Sequence, residues 1–146
     1  MHITLESDYA VRIVYCLAQN QRRMDAKRIA EETGVTLRFS LKILRKLVTG
    51  GLVSSYKGTK GGYELGRPAS EISLCDVIET VEGPYALSRC VGAEDYPCNR
   101  NNASCGACKF REVFSEVSEL VRQRLGQVKF SDLLQKEGGA DGPGQP

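Results

Sequence analysis

Residues 25–51 read DAKRIAEETGVTLRFSLKILRKLVTGG, and residues 52–66 continue as LVSSYKGTKGGYELG. Asp25 can accept from the free N–H groups that open a helix, and in AKRIAEET the residues Ala26, Ile29 and Ala30 fall on one side, which predicts a short helix. Gly34 breaks it. Thr36 offers a second cap, and from there a helix is expected to about Val48, with Leu37, Leu41, Leu44 and Val48 as its buried stripe. Its other side would carry Phe39, Lys42 and Lys46, with Arg38 and Ser40 near the start. Two short helices joined by a glycine-containing turn, the second one basic, form the helix-turn-helix pattern. Beyond Gly50 and Gly51, LVSSYKG and GGYELG read as two strands around the turn GTKGG. At the tip of this hairpin Lys57, Thr59 and Lys60 stand among glycines, so backbone and two cations can approach a phosphate or a minor groove closely.

Working outward, Leu5, Tyr9, Ala10, Ile13, Val14, Leu17 and Ala18 recur at three- and four-residue steps and predict a core helix over roughly residues 4–20. Residues 109–128, KFREVFSEVSELVRQRLGQV, place Phe110, Val113, Phe114, Val117, Leu120, Val121 and Leu125 at helical spacing. Such a stripe suits a twin helix in a two-fold dimer, or a return onto its own domain. A terminal element, FSDLLQKE, is expected to begin with a Ser131 cap, and GGADGPGQP from Gly138 is expected to be disordered. The fold class expected is mainly α with a small β-wing, a winged helix-turn-helix plus a long C-terminal helix. Its expected division is residues 1–83 as the DNA-binding domain, 84–108 as a cysteine-rich loop, 109–136 as the dimerisation and terminal helices, and 137–146 as the tail.

Hydrophobic residues make up 41% and charged residues 26% of the 146, so most of the chain is expected to fold. The net charge of +2 is modest, yet Lys27, Arg28, Arg38, Lys42, Arg45, Lys46, Lys57, Lys60 and Arg67 gather in the helix-turn-helix and wing. An α-helix fits the major groove, and flanking cations neutralise phosphates. There Phe39 is expected to meet a thymine methyl and Arg38 to donate twice to guanine. A dimer would place two readers on successive turns of double-stranded DNA, so the expected operator has dyad symmetry. No run approaches the roughly 18 apolar residues of a membrane span and no secretory leader is evident, so a cytoplasmic protein without a membrane partner is expected.

In a reducing compartment six cysteines point to metal or redox chemistry rather than to disulfides. Cys16 and Cys75 lie among apolar helical neighbours and read as buried, inert thiols. Cys90, Cys98, Cys105 and Cys108 have the spacing C-x7-C-x6-C-x2-C in a segment rich in Gly, Asn and Pro. Four thiolates suit zinc or an iron-sulfur cluster, and a spacing looser than the paired C-x2-C units of zinc ribbons favours the latter. A surface loop with free thiols is the plain alternative. The sole histidine, His2, is remote, so a non-thiol ligand would be a carboxylate: Asp95 in the loop, or Asp8 reaching a neighbouring subunit's loop in a dimer. With one histidine the usual Ser-His or Cys-His nucleophile pairing is almost unavailable, so no enzyme is expected. A small electron carrier is the remaining reading from another class.

Taken together, SDYAVRIVYCLA (residues 7–18), GVTLRFSLKILRKLVTGGLVSSYKGTKGGYELGRPASEISLCDVIETVEG (residues 34–83) and the cysteine loop resemble the Rrf-two family of bacterial transcriptional regulators over about residues 1–136. The resemblance implies a homodimeric DNA-binding regulator, usually a repressor, whose operator binding is controlled by an iron-sulfur cluster that senses redox state, nitric oxide or iron. It places Cys90, Cys98 and Cys105 at the three cluster-ligating positions, for a [2Fe-2S] or [4Fe-4S] centre. Two departures stand out. The intervals between cysteines exceed those of IscR-like members, and Cys108 stands where those members have a histidine ligand. That makes Cys108 the leading fourth ligand; NsrR-like members point instead to an acidic residue at the position of Asp8 from the other subunit. Members without a cluster exist, so zinc, or thiol or ligand sensing without metal, is the alternative.

Overall fold

The computed structural model describes residues 2–99 and 108–137. Helix α1 (Leu5–Asn20) opens at Thr4, whose side chain accepts from Ser7 N, and closes at Gln21, which adopts a left-handed φ of 51°. Helix α2 (Ala26–Thr33) is capped by Asp25, and Gly34 ends it at φ 72°, a conformation glycine reaches without a Cβ penalty. Helix α3 (Leu37–Thr49) begins at Thr36, which accepts from Phe39 N. Strands β1 (Val53–Tyr56) and β2 (Gly62–Leu65) pair antiparallel, with Val53 opposite Leu65 and Tyr56 opposite Gly62. Met24 bridges to Tyr63 through two backbone hydrogen bonds of 2.9 and 2.8 Å, so the α1–α2 connection lies along the hairpin like a third strand. A Cβ at Gly62 would come within 2.7 Å of Met24 O, so that approach requires glycine.

A 3-10 turn (Ala69–Glu71) leads into α4 (Leu74–Glu82), which opens with a reciprocal capping box between Ser73 and Asp76. Next come a single turn α5 (Arg89–Gly92), inside the segment expected as loop, and the long α6 (Lys109–Gly126). Helix α7 (Phe130–Glu137) closes the described chain. The core gathers Ala10, Ile13, Val14 and Leu17 of α1, Ile29 of α2, Ile43, Leu44 and Leu47 of α3, and Val77 of α4 around Leu52 and Ile72.

Three expectations need correction. The buried positions of α3 are Ser40, Ile43, Leu44 and Leu47, whereas Leu37 and Leu41 are 45% and 42% exposed. The leucines and Ile43 span an arc of about 160°, wider than the side the helix buries, so their spacing alone set its rotation wrongly; contacts with α1, α2 and α4 choose the Ile43 side. Helix α7 starts at Phe130, one residue before the expected Ser131 cap, and the Asp132 carboxylate accepts from Lys129 N at 3.2 Å. Finally, packing does not respect the expected boundary at residue 83. Phe130 is fully buried in the N-terminal core, and its N–H donates to Ile72 O at 3.0 Å. The expected disordered tail from Gly138 lies outside the described residues. Among the described residues no helix is long and apolar enough to cross a membrane.

Candidate nucleic-acid interface and cysteine pocket

Because α3 buries Ser40, Ile43 and Leu47, the side it turns to solvent carries Leu37, Arg38, Leu41, Lys42 and Arg45. Thr36 is exposed at the tip, its hydroxyl oxygen accepting from Phe39 N at 3.3 Å. Of the residues expected on this face, Ser40 is turned inward, while Phe39 and Lys46 lie at its edge and are engaged by α1 and α4. Ser40 is fully buried, about 60° round the helix from the edge of the exposed arc. The half-buried Phe39 ring packs edge-on to Tyr9 with centroids 5.4 Å apart while still lining the groove beside Leu37 and Leu41. Lys46 lies 2.6 Å from Glu6 Oε1 and donates to Val81 O at 3.2 Å, so its charge braces α3 against α1 and α4. Those contacts hold the Glu6 carboxyl below the usual range, chiefly through the Lys46 hydrogen bond. Lys42 keeps an exposed ammonium, 3.6 Å from Glu6 Oε2. Sequence reasoning did not single out Arg45, Leu37 or Leu41 as contact residues. Their signal is the rotation of α3, which only the packing reveals.

At the wing, Lys57, Thr59 and Lys60 are all exposed around the β1–β2 turn. The hairpin is clamped from outside by Arg23. Its guanidinium lies 3.4 Å from the Tyr56 ring centroid, its Nε is 3.5 Å from Glu64 Oε2, and its Nη1 donates to Lys60 O at 3.5 Å. One side chain therefore touches β1, β2 and the turn between them, with a cation–π contact and a charge pair.

Cys90, Cys98 and Cys108 line one cavity of about 340 Å³ with Arg89, Arg111 and Phe114. Cys90, in α5, is half-buried, with Sγ 3.2 Å from Ser88 Oγ and its carbonyl accepting from Arg111 Nε at 3.1 Å. Cys98 is exposed and Cys108 is the residue before α6. Cys105 lies outside the described residues, and among the described residues no three metal-ligating side chains converge. Asp8 is on α1, paired with Arg12 at 2.8 Å, and does not line this cavity. Cys16 is buried, and burial followed by the adjacent Glu32 pushes its thiol up to about 11. Burial also raises Cys75, which is only half-buried.

The cavity is mechanically tied to the core. Arg122 of α6 grips Glu79 of α4 through Nε–Oε1 at 2.5 Å and Nη2–Oε2 at 3.2 Å, a two-point contact that holds the Glu79 carboxyl below its usual range. Ser118 is buried at the same seam, accepting from Leu87 N at 2.9 Å and donating to Phe114 O at 2.6 Å. Elsewhere on α6, Phe110, Val113 and Leu120 are 61%, 53% and 64% exposed.

A family model described as Rrf2, iron-dependent transcriptional regulator, matches residues 3–136. The chain belongs to the Rrf2 family. It is 39% identical to protein aau3 of Rhizobium meliloti over 107 residues, 73% of this chain and 69% of that protein. It is 32% identical to the rrf2-like HTH-type transcriptional regulator of Rhodobacter capsulatus over 138 residues, 90% of this chain and 91% of that one. Its fold is similar to that of T. potens IscR, with a TM-score of 0.72 at 22% identity, covering 97% of this chain and 94% of that one. This Rrf2 protein is thus a DNA-binding transcriptional regulator with a winged helix-turn-helix fold, as its sequence led one to expect.

Proposed function

We propose that this Rrf2 regulator is a homodimeric repressor whose hold on a dyad-symmetric operator is governed by an iron-sulfur cluster ligated by Cys90, Cys98, Cys105 and Cys108. The observation that carries the reading is the common cavity of Cys90, Cys98 and Cys108 at the start of α6. Its donor set fits such a group. Thiolates are the ligands these clusters take, and the guanidinium groups of Arg89 and Arg111 in the same lining offset the negative charge of thiolates bound to a cluster. The family description as iron-dependent supports the same choice. When bound, the cluster would supply a redox-active centre. The chain's own residues supply the linkage. Arg111 ties the Cys90 carbonyl to α6, Arg122 ties α6 to Glu79 of α4, and Lys46 ties the Val81 carbonyl of α4 to α3. The exposed Phe110, Val113 and Leu120 are the surface through which two copies would pair, setting two α3 helices on one side of the duplex.

The test is an absorbance spectrum of protein purified without oxygen, with iron and acid-labile sulfide assayed on the same sample. Matched iron and sulfide with visible charge-transfer bands are the expected result, and Cys98→Ala is expected to lose both while still sedimenting as a dimer. A colourless protein holding one zinc per chain would replace the cluster by a structural metal at the same thiols. Absence of any metal after anaerobic reconstitution would leave a regulator that senses through its thiols or a ligand.

A further inference from the structure

Leu37 and Leu41 are the large hydrophobic side chains that α3 leaves open to solvent. They are four residues apart, so they stand on one side of the helix, one turn from each other. They lie in a groove-lining apolar strip that runs along α3 and is bordered by Thr36, Arg38, Lys42 and Arg45. Apolar side chains at solvent-facing positions of a helix that already buries Ile43, Leu44 and Leu47 contribute nothing to the core of this protomer. What surrounds them selects the occupant. Four cations, Arg38, Lys42, Arg45 and Lys46, flank the strip and no acidic residue lines it, a charge pattern that matches a nucleic-acid duplex.

In the major groove the apolar group on a base edge is the C5 methyl of thymine; the remaining edge atoms are hydrogen-bond donors and acceptors. We propose that Leu37 and Leu41 are specificity-determining residues that read thymine methyls, one each, in every operator half-site. One helical turn is about 5.4 Å and successive bases rise about 3.4 Å, so the two thymines fall on neighbouring or next-but-one base pairs. Phe39 also lines this strip, but it is half-buried with its ring edge-on to Tyr9, so the thymine contact first expected of it is assigned to the more exposed leucines. This inference rests on α3 being the helix that enters the groove.

The experiment starts from a pool of random duplexes from which the full-length protein retains its own tight binders. Thymines fixed in the selected sites are then replaced one at a time by deoxyuridine, which keeps the base pairing and removes the methyl. Affinity is read by fluorescence anisotropy at constant salt. Two positions per half-site should each lose about fourfold in affinity, the value of burying one methyl. Leu41→Ala should be insensitive to deoxyuridine at one of them and Leu37→Ala at the other, with thermal melting of both variants close to that of the parent. The inference is overturned if no thymine is fixed in the selected sites, if deoxyuridine costs nothing, or if the leucine variants suffer the same loss as the parent. Failure of the underlying reading looks different: Arg38→Ala and Arg45→Ala would then leave binding to the selected duplex unchanged.

Discussion

The winged helix-turn-helix body and the cysteine-bearing arm are held together by different physics. In the body, each of α1 to α4 begins at a side-chain cap, and the helices converge on side chains with no solvent exposure, such as Ile13, Ile43 and Leu44. In the arm, α5 and α6 have no side-chain cap hydrogen bond, and among the described residues of α6 only Ser118 is buried. The body is therefore stabilised by apolar burial within one protomer. The arm leaves Phe110, Val113 and Leu120 open to solvent and gathers Cys90, Cys98 and Cys108 in one cavity, so on the proposed reading its order would depend on a metal centre and a second copy. If the arm is the sensing part, as proposed, that asymmetry puts sensing where a ligand can change stability.

Breaking the comparison most severely requires a residue whose place in sequence and place in space disagree. Phe130 follows the arm yet packs in the body. Phe130→Ala should destabilise the protein by about 3–5 kcal/mol in urea unfolding followed by circular dichroism. An unchanged midpoint would mean that α7 belongs with the arm.

A smaller effect sharpens the functional half of the body. Lys60→Ala should weaken DNA binding and lower the salt slope of log affinity by about 1, as expected for one lost phosphate contact. Arg23→Ala should also weaken binding, because Arg23 holds Tyr56, Glu64 and the Lys60 carbonyl in place. If it acts by presenting the wing, the double variant binds little worse than Lys60→Ala alone. Additive losses would instead give Arg23 its own phosphate.

The smallest effect lies at the seam between body and arm. Glu79 has its carboxyl held below the ordinary value by Arg122, so the pair contributes stability above the unfolded-state value of about 4.3 and loses it as pH falls through the lower folded value. Arg122 is partly exposed, so solvent screening keeps the contribution small. Thermal melting should show Glu79→Gln less stable than the parent at pH 6, with the gap closing on acidification below pH about 4. A gap that stays constant down to pH 3 would remove ionisation of Glu79 from the account.

Much of the body was legible residue by residue. Thr36 and Asp25 announced their helices because capping is local chemistry, a side-chain oxygen meeting N–H groups two or three residues on. The turn between the wing strands was marked by its glycines, and the thiol spacing marked a set of cysteines of which Cys90, Cys98 and Cys108 share one lining. Contact roles on α3 were less legible. Apolar residues at Leu37, Leu41, Ile43, Leu44 and Leu47 span an arc of about 160°, wider than the buried side, so periodicity identified a helix without fixing which part of that arc faces inward. Arg23, in a short polar connection, gave no signal at all. Its partners Tyr56 and Glu64 lie more than thirty residues on.

What the amino-acid sequence determined by itself was the order and type of the elements, the family, and the supply of soft ligands, because each follows from spacing within a few residues or from composition. The tertiary structure alone decided the rotation of α3, which hides Ser40 and presents Leu37, Leu41 and Arg45. It also decided the return of Phe130 to the body and the clamp on the wing. Those choices depend on which distant surfaces meet, and the burial they achieve is a property of the packed whole, absent from any stretch of chain taken alone.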